Sequence, residues 1–261
     1  MYLPLGYTEP PNRCFNQSAI EAVWTYLACA DGVDRVLPDG RADIVLCFMV
    51  GARQSITAIE VRIAGPSTSF RDVPITRGLG FVGVRLRPSC ATSVLRLDLS
   101  SIAEKVLSGE VAISAVPELG AFCAPARSVE VLMRRLTEFV ERRRMANAGR
   151  SPSPRAMALL NALHLGGGRL SIVDLARMHG VDDRTVRRDV VSATGLGPKE
   201  LSMIVQFHRA VRLLRDIGLD PASAAAEAGY SDQAHMTRDF RKLGGFAPGQ
   251  LPDVTLVSIS P

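Results

Sequence analysis

A repeat with a fifty-residue period sets the terms on which the C-terminal part of this chain can fold. Arg188-Asp189-Val190, within "DRTVRRDVV" (183–191), returns as Arg238-Asp239-Phe240 within "AHMTRDFRK" (234–242), 50 positions later. Each copy is preceded by an Ala, three residues, a Gly and a hydrophobic residue: Ala176 to Gly180-Val181, and Ala225 to Gly229-Tyr230. The later copy holds one extra residue between its Gly and its second helix. A period of this length marks one supersecondary unit used twice. A short helix stopped by Gly, a tight turn and a second helix make a helix-turn-helix.

Start and stop signals support a helical reading from 156 onward. "AMALLNALHL" (156–165) runs into "GGG" at 166–168. Ser171 is a helix cap with Asp174 in the capping-box position, and Gly180 ends that helix. Asp182 caps the next, which ends at Gly195. Pro198 opens a long connecting helix of about 18 residues, expected to run to about Asp216 and to span roughly 27 Å at 1.5 Å per residue. Asp220-Pro221 is a cap followed by Pro at the first helical position. That helix stops at Gly229, and another runs from Asp232 to Leu243.

The second helix of each copy points to DNA. Advancing about 100° per residue puts Val186, Val190 and Ala193 on one face and Arg184, Arg187 and Arg188 on the other. In the later helix Met236, Phe240 and Leu243 face inward, and Gln233, Ala234, Thr237 and Arg238 lie near the outer face. Arg, Gln and Thr hydrogen-bond base edges, and Arg pairs well with guanine. One such helix is an ordinary solvated face; two in the same register are less easily dismissed. A 27 Å connection suits heads set near one duplex turn, roughly 34 Å, apart.

Residues 156–251 resemble the AraC/XylS transcription regulators. "LARMHGVDDRTVRRDVVSATGLGPKEL" and "AAEAGYSDQAHMTRDFRKLGGFAPGQL" carry the likeness, most closely in the turns "TGLGPK", "AGYSDQAH" and "GGFAPG". The resemblance implies that Arg184, Arg187 and Arg188 in the first head, and Gln233, Ala234, Thr237 and Arg238 in the second, face bases. It makes Lys199, Arg241 and Lys242 candidate phosphate contacts. Three positions depart from the family. Val190 stands where the first head usually has Phe, and Ser192 and Gln206 stand where basic residues are frequent. Fewer phosphate contacts imply weaker and less salt-sensitive binding.

The region before 148 reads as β-rich. "ADIVLCFMV" (42–50) is a buried strand, while "IEVRI" (59–63) and "FVGVRLRP" (81–88) alternate. "LPDG" (37–40) is a turn. "SIAEKVLSG" (101–109) and "SVEVLMRRLTEFVERRR" (128–144) are expected to be helices. The second carries a Val129/Leu132/Leu136/Phe139/Val140 stripe that is expected to dimerise the protein. "RVLPDGRADIVL" (35–46) and "GVRLRPSCA" (83–91) resemble an uncharacterised N-terminal domain found in some of these regulators, which implies a sensing or dimerising module. Asp39, Arg41 and Asp43 could line a pocket, although turn polarity accounts for them equally well. Trp24 is read as core.

The expected architecture is therefore α+β. Residues 1–147 form a β-rich, barrel or cupin-like domain with appended helices. "AGRSPSPR" (148–155) is a linker, and 156–261 is an all-α double helix-turn-helix domain. Of the net charge of +5, residues 1–133 carry −1, 134–150 carry +4 and 151–261 carry +2. The first block argues against nucleic acid there; the rest permits it. The five cysteines, at 14, 29, 47, 90 and 123, fit neither a disulfide framework nor a zinc site and are read as buried thiols.

No stretch is long and apolar enough to span a membrane, and "MYLPLGYTEPPNRC" lacks the charged-then-apolar order of a signal peptide, so none is expected. The chain is expected to be cytoplasmic, with neither cofactor nor metal and no membrane partner. Expected partners are operator DNA, a small-molecule effector, a second copy of the chain and, if it activates, RNA polymerase. The rival is a β-barrel enzyme or DNA-repair protein fused to a DNA-binding domain. His164, His179, His208 and His235 all lie in the helical half, which disfavours a His-ligated barrel metal.

Overall fold

A computed structural model describes residues 6–9, 18–51 and 56–252. Contacts divide the chain into two compact units. One takes in residues 1–34, 41–65 and 73–152; the other takes in 35–40, 66–72 and 153–261.

In the first unit six strands form one antiparallel sheet. They are β1 (Gly6–Thr8), β2 (Ile20–Leu27), β4 (Ala42–Val50), β5 (Ile56–Ala64), β7 (Leu79–Leu86) and β8 (Val106–Ser108), in the order β1-β2-β7-β4-β5-β8. β3 (Gly32–Val36) and β6 (Arg71–Ile75) pair separately. Alternation assigns the two faces of the sheet. Ile44 lies opposite Val84, and Leu46 opposite Val82. These side chains are buried in the main core with Ile20, Val61 and Ile63. The other face carries Val45, Cys47 and Phe81, packed with Trp24, Tyr26 and Val73.

Helices α1 (Pro88–Leu95) and α2 (Leu99–Ile102) lie between β7 and β8, and α3 (Glu110–Ala115) and α4 (Val129–Ala146) follow β8. Ser128 caps α4 by accepting from the Val131 amide. The expected helix over 101–109 is instead α2 followed by strand β8, which pairs with β5. Glu104 adopts a left-handed φ of 61°, which a helix cannot continue through, and Val106 and Leu107 then join the edge of the sheet. The α4 stripe also departs from expectation. Val129, Leu132, Leu136, Phe139 and Val140 are all buried inside the core of their own unit, so the stripe is not available to a second copy.

In the second unit lie α5 (Pro154–Leu165), α6 (Ile172–His179), α7 (Asp183–Thr194), α8 (Pro198–Arg212), α9 (Pro221–Ala228) and α10 (Gln233–Leu243). The connecting helix α8 has 15 residues and runs on into a five-residue π-helical turn at Leu213–Ile217, which ends at Gly218. Pro154 and Arg155, expected in the linker, are the first turn of α5, capped by Ser153. Among the described residues no helix is long and apolar enough to cross a membrane.

Candidate nucleic-acid interface

Both repeats are built by the same local chemistry. At α6, Ser171 and Asp174 form a full capping box, with the Asp174 amide donating to Ser171 Oγ at 3.1 Å. The helix stops at Gly180, whose φ of 63° is left-handed. Asp182 then accepts from the Thr185 amide at 2.6 Å and starts α7. In the second repeat Asp220 accepts from the Ala222 and Ser223 amides, Pro221 opens α9, and Gly229 ends it with φ 89°. Asp232 accepts from the His235 amide at 2.6 Å and starts α10. Asp182 and Asp232 are held below the ordinary aspartate range, chiefly by these backbone amides. Such caps fix where each reading helix begins, and so which side chains its first turn presents.

The helical faces fall as the periodicity requires. Val186, Val190 and Ala193 of α7 are buried, as are Met236, Phe240 and Leu243 of α10. Phe207 of α8 packs edge-on against Phe240, with ring centroids 4.9 Å apart. Arg184, Arg187 and Arg188 are exposed on α7, and Gln233, Ala234 and Arg238 on α10. Thr237 is half-buried, and its hydroxyl donates to the Gln233 carbonyl at 2.8 Å, which leaves the hydroxyl oxygen able to accept. Gln233, Ala234, Thr237 and Arg238 line one open recess of about 680 Å³ together with Asp232 and Arg241. Lys199, Arg241 and Lys242 are exposed.

Four partnerships shape these heads; the adjacent Arg188–Asp189 pair is open to the sequence as the alternative to a base contact, and the other three are not. Arg155 Nε donates to buried Asp189 at 2.6 Å, and Asp189 also accepts from Arg188 at 3.3 Å. These arginines, Arg155 first, hold the Asp189 carboxyl below its usual range. The equivalent Asp239 is also buried, yet His235 Nε2 stands 3.8 Å away. Burial pushes the Asp239 carboxyl up, against the pull of His235, Lys242, Arg238 and Lys199. Neither Asp239 Oδ2 nor the buried Tyr230 hydroxyl has a hydrogen-bond partner among the described residues. Gln206, at a position the family often gives to a basic residue, donates its amide to the Gly229 carbonyl at 3.0 Å. It ties α8 to the turn of the second repeat. The one signal for these roles was the Asp repeated at the same register of both copies.

The residues singled out in the β-rich part are engaged internally. Arg41 pairs with Glu21 at 2.6 Å, both buried. Trp24 donates from Nε1 to Asp43 at 2.9 Å and stacks on Tyr7 at 5.8 Å. Its ring lies over Gly83, where an added Cβ would come within 2.1 Å of it. Asp39 is half-buried and belongs to the second contact unit. Of the described cysteines all are free thiols; Cys47 is buried, but Cys29 and Cys123 are exposed, contrary to the reading of all as buried. Cys14 lies outside the described residues. Among the described residues no group of three or more His, Cys, Asp or Glu could hold a metal ion.

Comparison with known proteins places two domains on the chain. Residues 175–252 match a helix-turn-helix domain. Residues 11–108 match a domain of unknown function, DUF6597. No curated protein matches the chain significantly. Among solved structures, the C-terminal domain of AraT, a response regulator from Geobacillus stearothermophilus, is similar at 20% identity and TM-score 0.36, over 38% of this chain and 83% of that one. ToxT from Vibrio cholerae is similar at 10% identity and TM-score 0.43, over 84% and 95% of the two chains. ToxT bound to an unsaturated fatty acid is similar at 12% identity and TM-score 0.44, over 86% and 91%.

Proposed function

We propose, from the premise that this chain is a DNA-binding transcription regulator with an AraC-type helix-turn-helix domain, that α7 and α10 are its two reading helices. In this reading Arg184, Arg187 and Arg188, with Gln233, Ala234, Thr237 and Arg238, meet base edges. Lys199, Arg241 and Lys242 meet phosphates. The observation that carries it is the repeated arrangement of exposed Arg, Gln and Thr opposite a buried apolar face, each helix begun by an aspartate cap.

The same proposal assigns residues 1–147 to sensing and 148–155 to a link between the two functions. The chain then responds to a small-molecule effector, and the match to a separate N-terminal domain supports that division of labour. Activation, with RNA polymerase as partner, and a homodimer follow from the family resemblance, as does a cytoplasmic, non-enzymatic role. Because the α4 stripe is buried in its own unit, the dimer contact is proposed to use another surface.

Equilibrium binding of the full chain to labelled genomic fragments that it enriches, in competition with random duplex, tests the function. Specific regulators bind their sites roughly 10³-fold or more tighter than random DNA. Equal competition by both kinds of DNA would reduce the protein to a non-specific binder.

A further inference from the structure

The two reading helices are built alike but carry different chemistry on their outer faces. α7 presents three guanidinium groups, Arg184, Arg187 and Arg188, all exposed. α10 presents an amide, a methyl, a hydroxyl and one guanidinium, from Gln233, Ala234, Thr237 and Arg238. Each group has its own complement in the major groove. The guanidinium fork matches the two acceptors of guanine, O6 and N7. A carboxamide matches the donor and acceptor of adenine, N6 and N7. A small methyl side chain meets the thymine methyl.

The arginines of α7 are also not equivalent to one another. Asp189 holds Arg188 through Nε and Nη2, both at 3.3 Å, and Asp189 is itself anchored by Arg155. Arg188 is therefore oriented before any DNA arrives. No ion pair of the described residues engages Arg184 or Arg187, which leaves both guanidinium groups to adjust to the groove. Asp189 acts here as a positioning residue. In α10 the corresponding Asp239 has His235 rather than an arginine as its ion-pair partner, so Arg238 is not held in this way.

We infer that the two heads read different base classes, so that the target is a site of two unlike halves: a guanine-rich half under α7, and a half under α10 that contains adenine and thymine with a single guanine contact. This rests on the proposal that both helices enter the major groove.

Selection of the full-length chain against a pool of randomised duplexes, followed by binding titrations on the enriched sequence, tests it. The expected consensus has one G-rich half and one half containing A and T. Replacing guanines of the first half should weaken the wild type by roughly 5- to 150-fold per lost contact. In an Arg184→Ala/Arg187→Ala variant replacements at the guanines those two arginines read should no longer matter, while the guanine under Arg188 and the second half keep their selectivity. In Gln233→Ala the converse is expected at an adenine of the second half. Arg184→Lys/Arg187→Lys keeps the charge but loses the fork; it should retain affinity for random DNA and lose selectivity at the guanines those two positions read. A consensus with two halves of the same composition overturns the inference while leaving specific DNA binding intact, as does a variant of one helix that alters selectivity in both halves. No enrichment of any duplex over the starting pool overturns the DNA-reading proposal itself, and the inference falls with it.

Discussion

Asp189 of α7 is held by Arg155 of α5 across 2.6 Å, while Asp239, at the same place in the second repeat, faces His235 at 3.8 Å. One repeated carboxylate thus has arginines as its partners in the first head and a histidine in the second.

The two aspartates should therefore respond oppositely to substitution and to pH. Asp189 has a lowered pKa in the folded chain. Its contribution is full above the ordinary aspartate value near 3.9 and is lost as the pH falls through the folded value below it. Asp239 has a raised pKa. Its ionisation opposes folding, an effect absent below the ordinary value and complete once the pH exceeds the raised one. Asp189→Asn should cost about 1 kcal/mol at pH 7, given the solvent screening of Arg155. Asp239→Asn should be neutral or stabilising at pH 7; at pH 3 its effect should be largely gone, and the cost of Asp189→Asn should be smaller than at pH 7. Denaturant titrations at both pH values check this. A loss of stability at pH 7 on Asp239→Asn would show that the ionised carboxylate is needed in that head.

Gln206→Ala removes the side-chain amide that reaches the Gly229 carbonyl at 3.0 Å. A stability loss of about 1 kcal/mol is expected, together with faster amide exchange around Gly229 and Tyr230. Unchanged exchange in that turn would mean the bond does not hold the second head in solution.

Leu136→Ala tests the inward packing of α4. Leu136 is fully buried in the core of the first unit, so truncation should cost about 2–5 kcal/mol. Light scattering should show the folded variant in the same oligomeric state as the parent. A variant of parental stability that changes oligomeric state would instead return the stripe to a subunit interface.

Much of the second unit was legible because its signals are local. Caps at Ser171, Asp182 and Asp220, left-handed glycines at 180 and 229, and a 3.6-residue apolar period need only neighbouring residues. The faces of α7 and α10 follow from the same period. What stayed hidden depends on distant parts of the chain. Arg155 looked like part of a polar linker because nothing local reveals a carboxylate 34 positions away. Gln206 looked like a missing cation, when its role is a bond to a turn 23 residues later. The α4 stripe shows a limit of amphipathicity: the pattern says that one face must be covered, not what covers it. The 101–109 segment was misread because its helical composition yields to a left-handed Glu104 and to an open edge on β5.

The central claim is that α7 and α10 read sequence, and the ratio of operator to random-DNA affinity tests it most directly. That ratio should be measured for the wild type, Arg188→Ala, Arg238→Ala and Lys199→Ala, with melting curves on each. The two arginine variants should melt near the wild type and lose roughly 1–3 kcal/mol at the operator and little at random sequence. Lys199→Ala should weaken binding to both DNAs about equally and reduce the salt slope by roughly one unit. If Arg188→Ala and Arg238→Ala both fold normally and still discriminate operator from random DNA as the wild type does, two-headed readout by these helices is wrong.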